Sequence, residues 1–163
     1  MQDLFDVQMK HMDTLLKGPE RIQEEDLVTR AVLEISKVAG QIMSDFQAQR
    51  FSEAKIDPTK LKALIFSATE WVTALFYCLE IDPPDFEEVS DFANQFESEV
   101  AADVILASFH MQGSIADFAL GYFCEDSKAA IEELDNYLGE VLACLELISR
   151  RLETTLSKLI MNI

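Results

Sequence analysis

The residues able to do chemistry in this chain are carboxylates, and their spacing limits what that chemistry can be. Asp82, Asp85, Glu88 and Asp91 step by three, which places the last three on adjacent ridges of a helix where a hydrated Mg²⁺ could sit. Glu132 and Asp135 form a second such pair. A dedicated metal site wants carboxylates converging from facing helices, whereas these read as outward-facing, so no metal and no other cofactor is expected. His11 and His110 stand alone, neither with a Glu three residues before it, so the Glu-x-x-His ligand pairs of carboxylate di-iron bundles are missing. No Gly-rich phosphate loop is present, and no Ser or Cys has a partnered His in sequence. Cys78, Cys124 and Cys144 make no Cys-x-x-Cys pair and read as buried, reduced thiols. No catalytic residue is assigned, and the chain reads more as a binding protein than as an enzyme.

Charge is the strongest signal. Asp and Glu number 30 against 13 Lys and Arg, a formal net charge of −17. Between Lys62 and Lys128 there are 13 acids and no Lys or Arg. Eight of them, Asp82, Asp85, Glu87, Glu88, Asp91, Glu97, Glu99 and Asp103, form the candidate partner-binding surface. The apolar stripe of that segment already secures its packing, so folding does not ask for those charges, and a basic protein partner would use them. Direct binding of nucleic acid is disfavoured because affinity for phosphates rests on Lys and Arg. An acidic surface of this kind could instead occupy, as a nucleic-acid mimic, the site of a protein that normally receives nucleic acid, and so inhibit it.

These groups must be held by helices. With 5 Gly and 4 Pro in 163 residues and 49% hydrophobic residues, the chain lacks the turn chemistry of sheets. It suits a single all-α domain over residues 1–163. The expected architecture is an antiparallel bundle of five helices, or six, with residues 59–81 as the central one. In that stretch Leu61, Ile65, Ala68, Val72, Leu75 and Leu79 recur at three-four spacing, while Phe66, Trp71, Tyr77 and Cys78 make the other sides apolar. Before it come a short helix over 3–17, closed by Gly18-Pro19, and an amphipathic helix over 19–54. Asp57-Pro58 opens the central helix and Asp82-Pro83-Pro84 closes it. From Phe86 to Tyr122 a 3.6 period runs without interruption, as one helix or as two if it divides near Asp103 or Gly113. Asp126-Ser127 opens a final helix to Leu159, with Ile131, Leu134, Leu138, Val141, Leu145, Ile148 and Leu152 as a heptad seam. At 1.5 Å per residue such a helix is roughly 50 Å long and outruns the bundle, so a homodimer through 131–159 is expected.

The N-terminus carries early acids and no basic stretch before an apolar run, and the central apolar run contains Glu70. A soluble, cytoplasmic protein with no membrane association is expected.

The stretch LFYCLEIDPPDFEEVSDFANQF is similar in texture to the end of the third helix and the following segment of the all-α nucleotide pyrophosphohydrolases, called MazG-like. The resemblance implies Mg²⁺ held by a Glu-x-x-Glu pair on one helix and a Glu-x-x-Asp pair on the next. Here Lys37 and Gln41 stand near where the first two acids would be, and Glu133-Leu134-Asp135-Asn136 departs from the second pair. A Mg²⁺-dependent nucleotide hydrolase with degenerate motifs is therefore the alternative to a binding protein.

The placement of the core gives a direct test. Leu75→Ala is expected to lower stability by about 2 to 5 kcal/mol, as a large-to-small change at a packed position, measured by urea denaturation. A loss below about 0.5 kcal/mol would place Leu75 at the surface.

Overall fold

The computed structural model describes residues 6, 9–10, 12–14, 17, 23–52, 55–100, 104–124 and 129–161, with backbone alone over 97–100. The described residues from 6 to 17 are helical. Six further helices follow: α1 (Glu24–Ser52), α2 (Pro58–Cys78), α3 (Phe86–Val100), α4 (Val104–Phe123), α5 (Ile131–Arg150) and α6 (Leu156–Met161). No strand occurs among the described residues, and the chain is an all-α bundle. Gly18-Pro19, Ala54 and the capping pair Asp126-Ser127 lie outside the described residues.

α1 opens with Glu24, Glu25 and Asp26 and closes with Arg50, charges that complement the helix dipole at each end. Its buried stripe runs from Leu27 and Val28 through Ile35 to Ile42. The Asp57 side chain accepts the Thr59 amide hydrogen at 2.9 Å to open α2, with Pro58 in the first turn where no amide is needed. α1 and α2 pack together across their short connection, as do α4 and α5 across theirs, making two antiparallel helical hairpins. α1 also packs on α4 and α3 lies on α5. The α2 stripe Leu61, Ile65, Ala68, Val72, Leu75 and Phe76 is wholly buried. α5 shares the centre, touching α2, α3, α4 and α6. By length and composition alone α2 could cross a membrane, but just over half of it is buried within the bundle.

Two helix ends differ from expectation for the same reason. α2 stops at Cys78, before the prolines, because Glu80 takes a left-handed conformation (φ 55°). Its amide donates to the Tyr77 carbonyl and that of Ile81 to the Phe76 carbonyl, both at 3.0 Å, the paired bonds of a Schellman ending. The final helix, expected to run about 33 residues to Leu159, instead ends at Arg150 after 20. Glu153 is left-handed (φ 57°), its amide donates to the Arg150 carbonyl, and the Thr154 amide donates to the Ser149 carbonyl. Thr155 Oγ1 then accepts the Lys158 amide hydrogen at 3.2 Å to start α6. No glycine marks either turn, so the heptad pattern runs through the second break undetected. The segment 84–123 is described as α3 and α4, residues 101–103 lie outside the described residues, and Gly113 lies inside α4 without breaking it.

The shortened α5 is about 30 Å long at 1.5 Å per residue. Leu134, Leu138, Val141, Leu145 and Ile148 of its seam are buried inside the bundle, so the long overhanging helix on which a dimer through 131–159 was expected is not formed.

Glu153 carries the cost of a β-carbon at positive φ, on the order of 1 kcal/mol. Glu153→Gly is expected to raise Tm by about 2 to 4 °C, while Glu153→Ala, which removes the charge and keeps the β-carbon, is not. Thermal denaturation of the two variants beside the parent checks this.

Candidate partner-binding surface

The acidic surface is assembled by the turn after α2 and the start of α3. Asp82, Asp85, Glu87, Glu88 and Asp91 are all exposed there. The Glu97 and Glu99 side chains and Asp103 lie outside the described residues. Asp85 and Glu88 form a reciprocal cap. The Glu88 amide donates to Asp85 Oδ1 at 2.8 Å and the Asp85 amide to Glu88 Oε2 at 2.9 Å, which satisfies two free donors of the helix start. These two acids are therefore recruited by folding, contrary to the expectation that none is. The signal was present in the sequence as Asp-x-x-Glu over 85–88. On the other side of α3, Val89, Ala93 and Phe96 are buried.

The absence of basic residues along the segment is modified in space. Arg150 reaches from α5 to α3, donating to Asn94 Oδ1 at 2.8 Å and to Ser90 Oγ at 3.1 Å. Lys17 lines one cleft together with Asp82.

Among the described residues, two clefts adjoin these elements and a third lies between α4 and α5. In the first, about 440 Å³, the 82–84 turn, Glu88 and Phe92 face Asp135 of α5. Burial, and then the charge of Glu88, pushes the Asp135 carboxyl above its usual range. The sequence pairs Asp135 with Glu132; the structure pairs it with Glu88, and Glu132 is exposed. Among the described residues no three His, Cys, Asp or Glu side chains group closely enough to hold a metal ion.

The second cleft, about 530 Å³, is lined by Asp13, Lys17, Glu24, Tyr77, Cys78 and Asp82 among others. Tyr77 donates to Asp13, which lowers the Asp13 carboxyl, while burial and that bond push Tyr77 up to about 12. Burial, with the charge of Glu24, pushes the Cys78 thiol to about 12. Cys144, buried in α5, is likewise pushed to about 12, by burial first. Neither forms a thiolate at neutral pH, which makes both poor nucleophiles. Cys124 differs from expectation: it is exposed, just past the end of α4.

The third groove, about 480 Å³ between α4 and α5, is lined by Leu106, Phe109, His110, Gly113, Ser114, Asp117 and Glu140. Ser114 Oγ donates to Glu140 Oε2 at 2.6 Å, and His110 Nε2 lies 3.7 Å from the same oxygen. The hydroxyl hands its hydrogen to the carboxylate, so this is not the Ser-to-His relay of a nucleophilic site. His110 packs its ring edge-on to Phe96 at 4.6 Å, as a partly exposed packed side chain. His11 lies outside the described residues.

Sequence reasoning missed the outer face of α4. Its exposed positions are Leu106, Phe109, Gly113, Ala116, Asp117, Leu120 and Phe123, with a single charge among them. The signal was the set of large apolar residues left over once the inward stripe through Val104, Ala107, Met111, Ile115 and Phe118 had been assigned.

Comparison of the chain with protein-family models, with curated proteins and with solved structures gives no match.

Asp135 supplies a pH test. Its folded pKa is raised, so the ionised carboxylate opposes folding above that pKa, and the penalty fades as pH falls through it. Asp135→Asn is expected to raise Tm at pH 7, with the gain over the parent shrinking toward pH 4, by thermal denaturation across that range. A gain independent of pH would assign the effect to packing.

Proposed function

We propose that this is a non-enzymatic, acidic helical protein that binds a basic protein partner through the 82–103 surface, in the cytoplasm. The reading rests on the five exposed acids of the 82–85 turn and the first turns of α3, in a segment with no Lys or Arg of its own. The reciprocal bonds between Asp85 and Glu88 hold two of these carboxylates in fixed positions before any partner arrives, which reduces the ordering cost of association. Such a surface attracts Lys- and Arg-rich sites by long-range steering. A protein whose basic cleft normally receives nucleic acid fits this description, and occupying that cleft would inhibit it.

The hydrolase alternative draws on one observation, the approach of Glu88 to Asp135 across a cleft. Mg²⁺-dependent nucleotide hydrolysis by the purified protein, abolished by Asp135→Asn, would replace the binding reading.

The test of the binding reading uses Glu87→Gln combined with Asp91→Asn, which leaves the Asp85–Glu88 cap intact. A tagged wild-type chain captures its partner from its own cell, and stopped-flow mixing then measures association with the purified partner. The double variant is expected to associate about 3- to 10-fold more slowly at low salt, with the two rates converging at high salt as charges are screened over a Debye length of about 8 Å or less. Equal rates and equal salt slopes would reduce this surface to a solubilising face.

A further inference from the structure

A solvent-facing helix of a chain with net charge −17 would be expected to carry charge, and α4 does the opposite. Of its seven exposed residues only Asp117 is charged, while Phe109 is 59% and Leu120 is 53% exposed, with Leu106 and Phe123 also large and exposed. At 100° per residue these positions fall on one side of the helix, in a continuous apolar strip of the kind that monomers rarely leave in water.

The spacing within the strip is self-complementary. Leu106 and Phe109 lie on one side of Gly113, and Leu120 and Phe123 on the other. If a second α4 crosses antiparallel about a two-fold axis midway between residues 114 and 115, Leu106 of one copy faces Phe123 of the other and Phe109 faces Leu120. Each leucine meets a phenylalanine, and Gly113 meets Ala116 at the crossing. A β-carbon added to Gly113 would meet nothing within 4 Å, so no intramolecular packing calls for glycine there. Its absence of a side chain lets a second backbone approach.

Two further observations select a copy of this chain as the occupant. The groove lined by Leu106, Phe109, His110, Gly113, Ser114, Asp117 and Glu140 lies on the half of the strip that would face Leu120 and Phe123 of the second copy. The polar positions agree: Asp117 lies about 3 Å along the axis from His110 of the second copy, given a rise of 1.5 Å per residue, so a carboxylate meets an imidazole. Asp117 is the one acid of α4, and Glu140 of α5, which also lines the groove, lies 3.7 Å from His110 Nε2 of its own copy. We infer that the outer face of α4 is a homodimer interface, an isologous contact in which two acidic chains meet through their charge-poor helix. This is independent of the acidic-surface reading and uses a different helix.

A contact along one 20-residue helix covers less than the roughly 800 Å² per partner of a standard stable interface, so the dimer is weak and concentration-dependent. Because the rest of each copy repels the other, added salt strengthens it, opposite to the salt dependence of partner capture by the acidic surface.

Sedimentation velocity of the full chain from about 1 µM to about 1 mM, at low and high salt, tests the inference. The expected result is a reversible shift from an 18.4 kDa species toward twice that mass, at lower concentration in high salt. Phe109→Ser with Leu120→Ser, both exposed, is expected to weaken dimerisation at least tenfold. Gly113→Leu is expected to weaken it similarly while leaving the monomer at least as stable, since it replaces an exposed helical glycine. A monomer throughout this range would overturn the inference, as would a dimer unchanged in both variants, whose folding is checked by circular dichroism.

Discussion

The junction of α5 and α6 depends on one buried side chain. Glu146 is 4% exposed on α5, and a polar group in such a place is tolerated only when it is hydrogen-bonded. Oε2 accepts the Leu156 amide hydrogen at 2.7 Å and Oε1 accepts from Arg150 Nε at 3.3 Å. The first bond holds the start of α6 against α5, so the chain turns back and α6 contacts α2 as well. The second orients Arg150 toward Ser90 and Asn94 of α3. One side chain thereby links three helices, and the exposed acids of α3 take their position on the bundle partly from it.

Acids perform most of the local work that glycine and serine perform elsewhere. Asp57 opens α2, Asp85 and Glu88 cap each other at the start of α3, and Glu146 closes over the start of α6. Glu80 and Glu153 occupy the left-handed turns that end α2 and α5, positions where glycine would cost less. Part of the −17 charge therefore belongs to the architecture. The exposed remainder, Asp82, Glu87 and Asp91 in particular, has no such duty in the described contacts, and on it the functional reading rests.

The surface thus divides into a face that gathers negative charge and a face that avoids it. On α3 the exposed positions are acidic or amide-bearing, from Glu87 to Gln95; on α4 they are apolar save one. If the two proposed contacts form, they would respond to salt with opposite sign, because one attracts unlike charge at a distance and the other requires like-charged chains to approach.

What the sequence by itself determined is what depends on period and composition. The all-α class, the buried stripe of α2 and the inward faces of α1, α4 and α5 follow from apolar residues recurring every three to four positions. So does the exposure of the acids from Asp82 to Asp91. The ends of α2 and α5 were not legible, since left-handed glutamates carry no sequence mark and the heptad phase continues through Leu152 to Leu159. The approach of Arg150 to α3, of Asp135 to Glu88 and of Ser114 to Glu140 was decided only by tertiary structure, because each joins helices whose relative rotation no single period specifies. The apolar face of α4 lay between the two. Its residues were visible in the chain, but their exposure depends on how α1 and α5 pack on the opposite side.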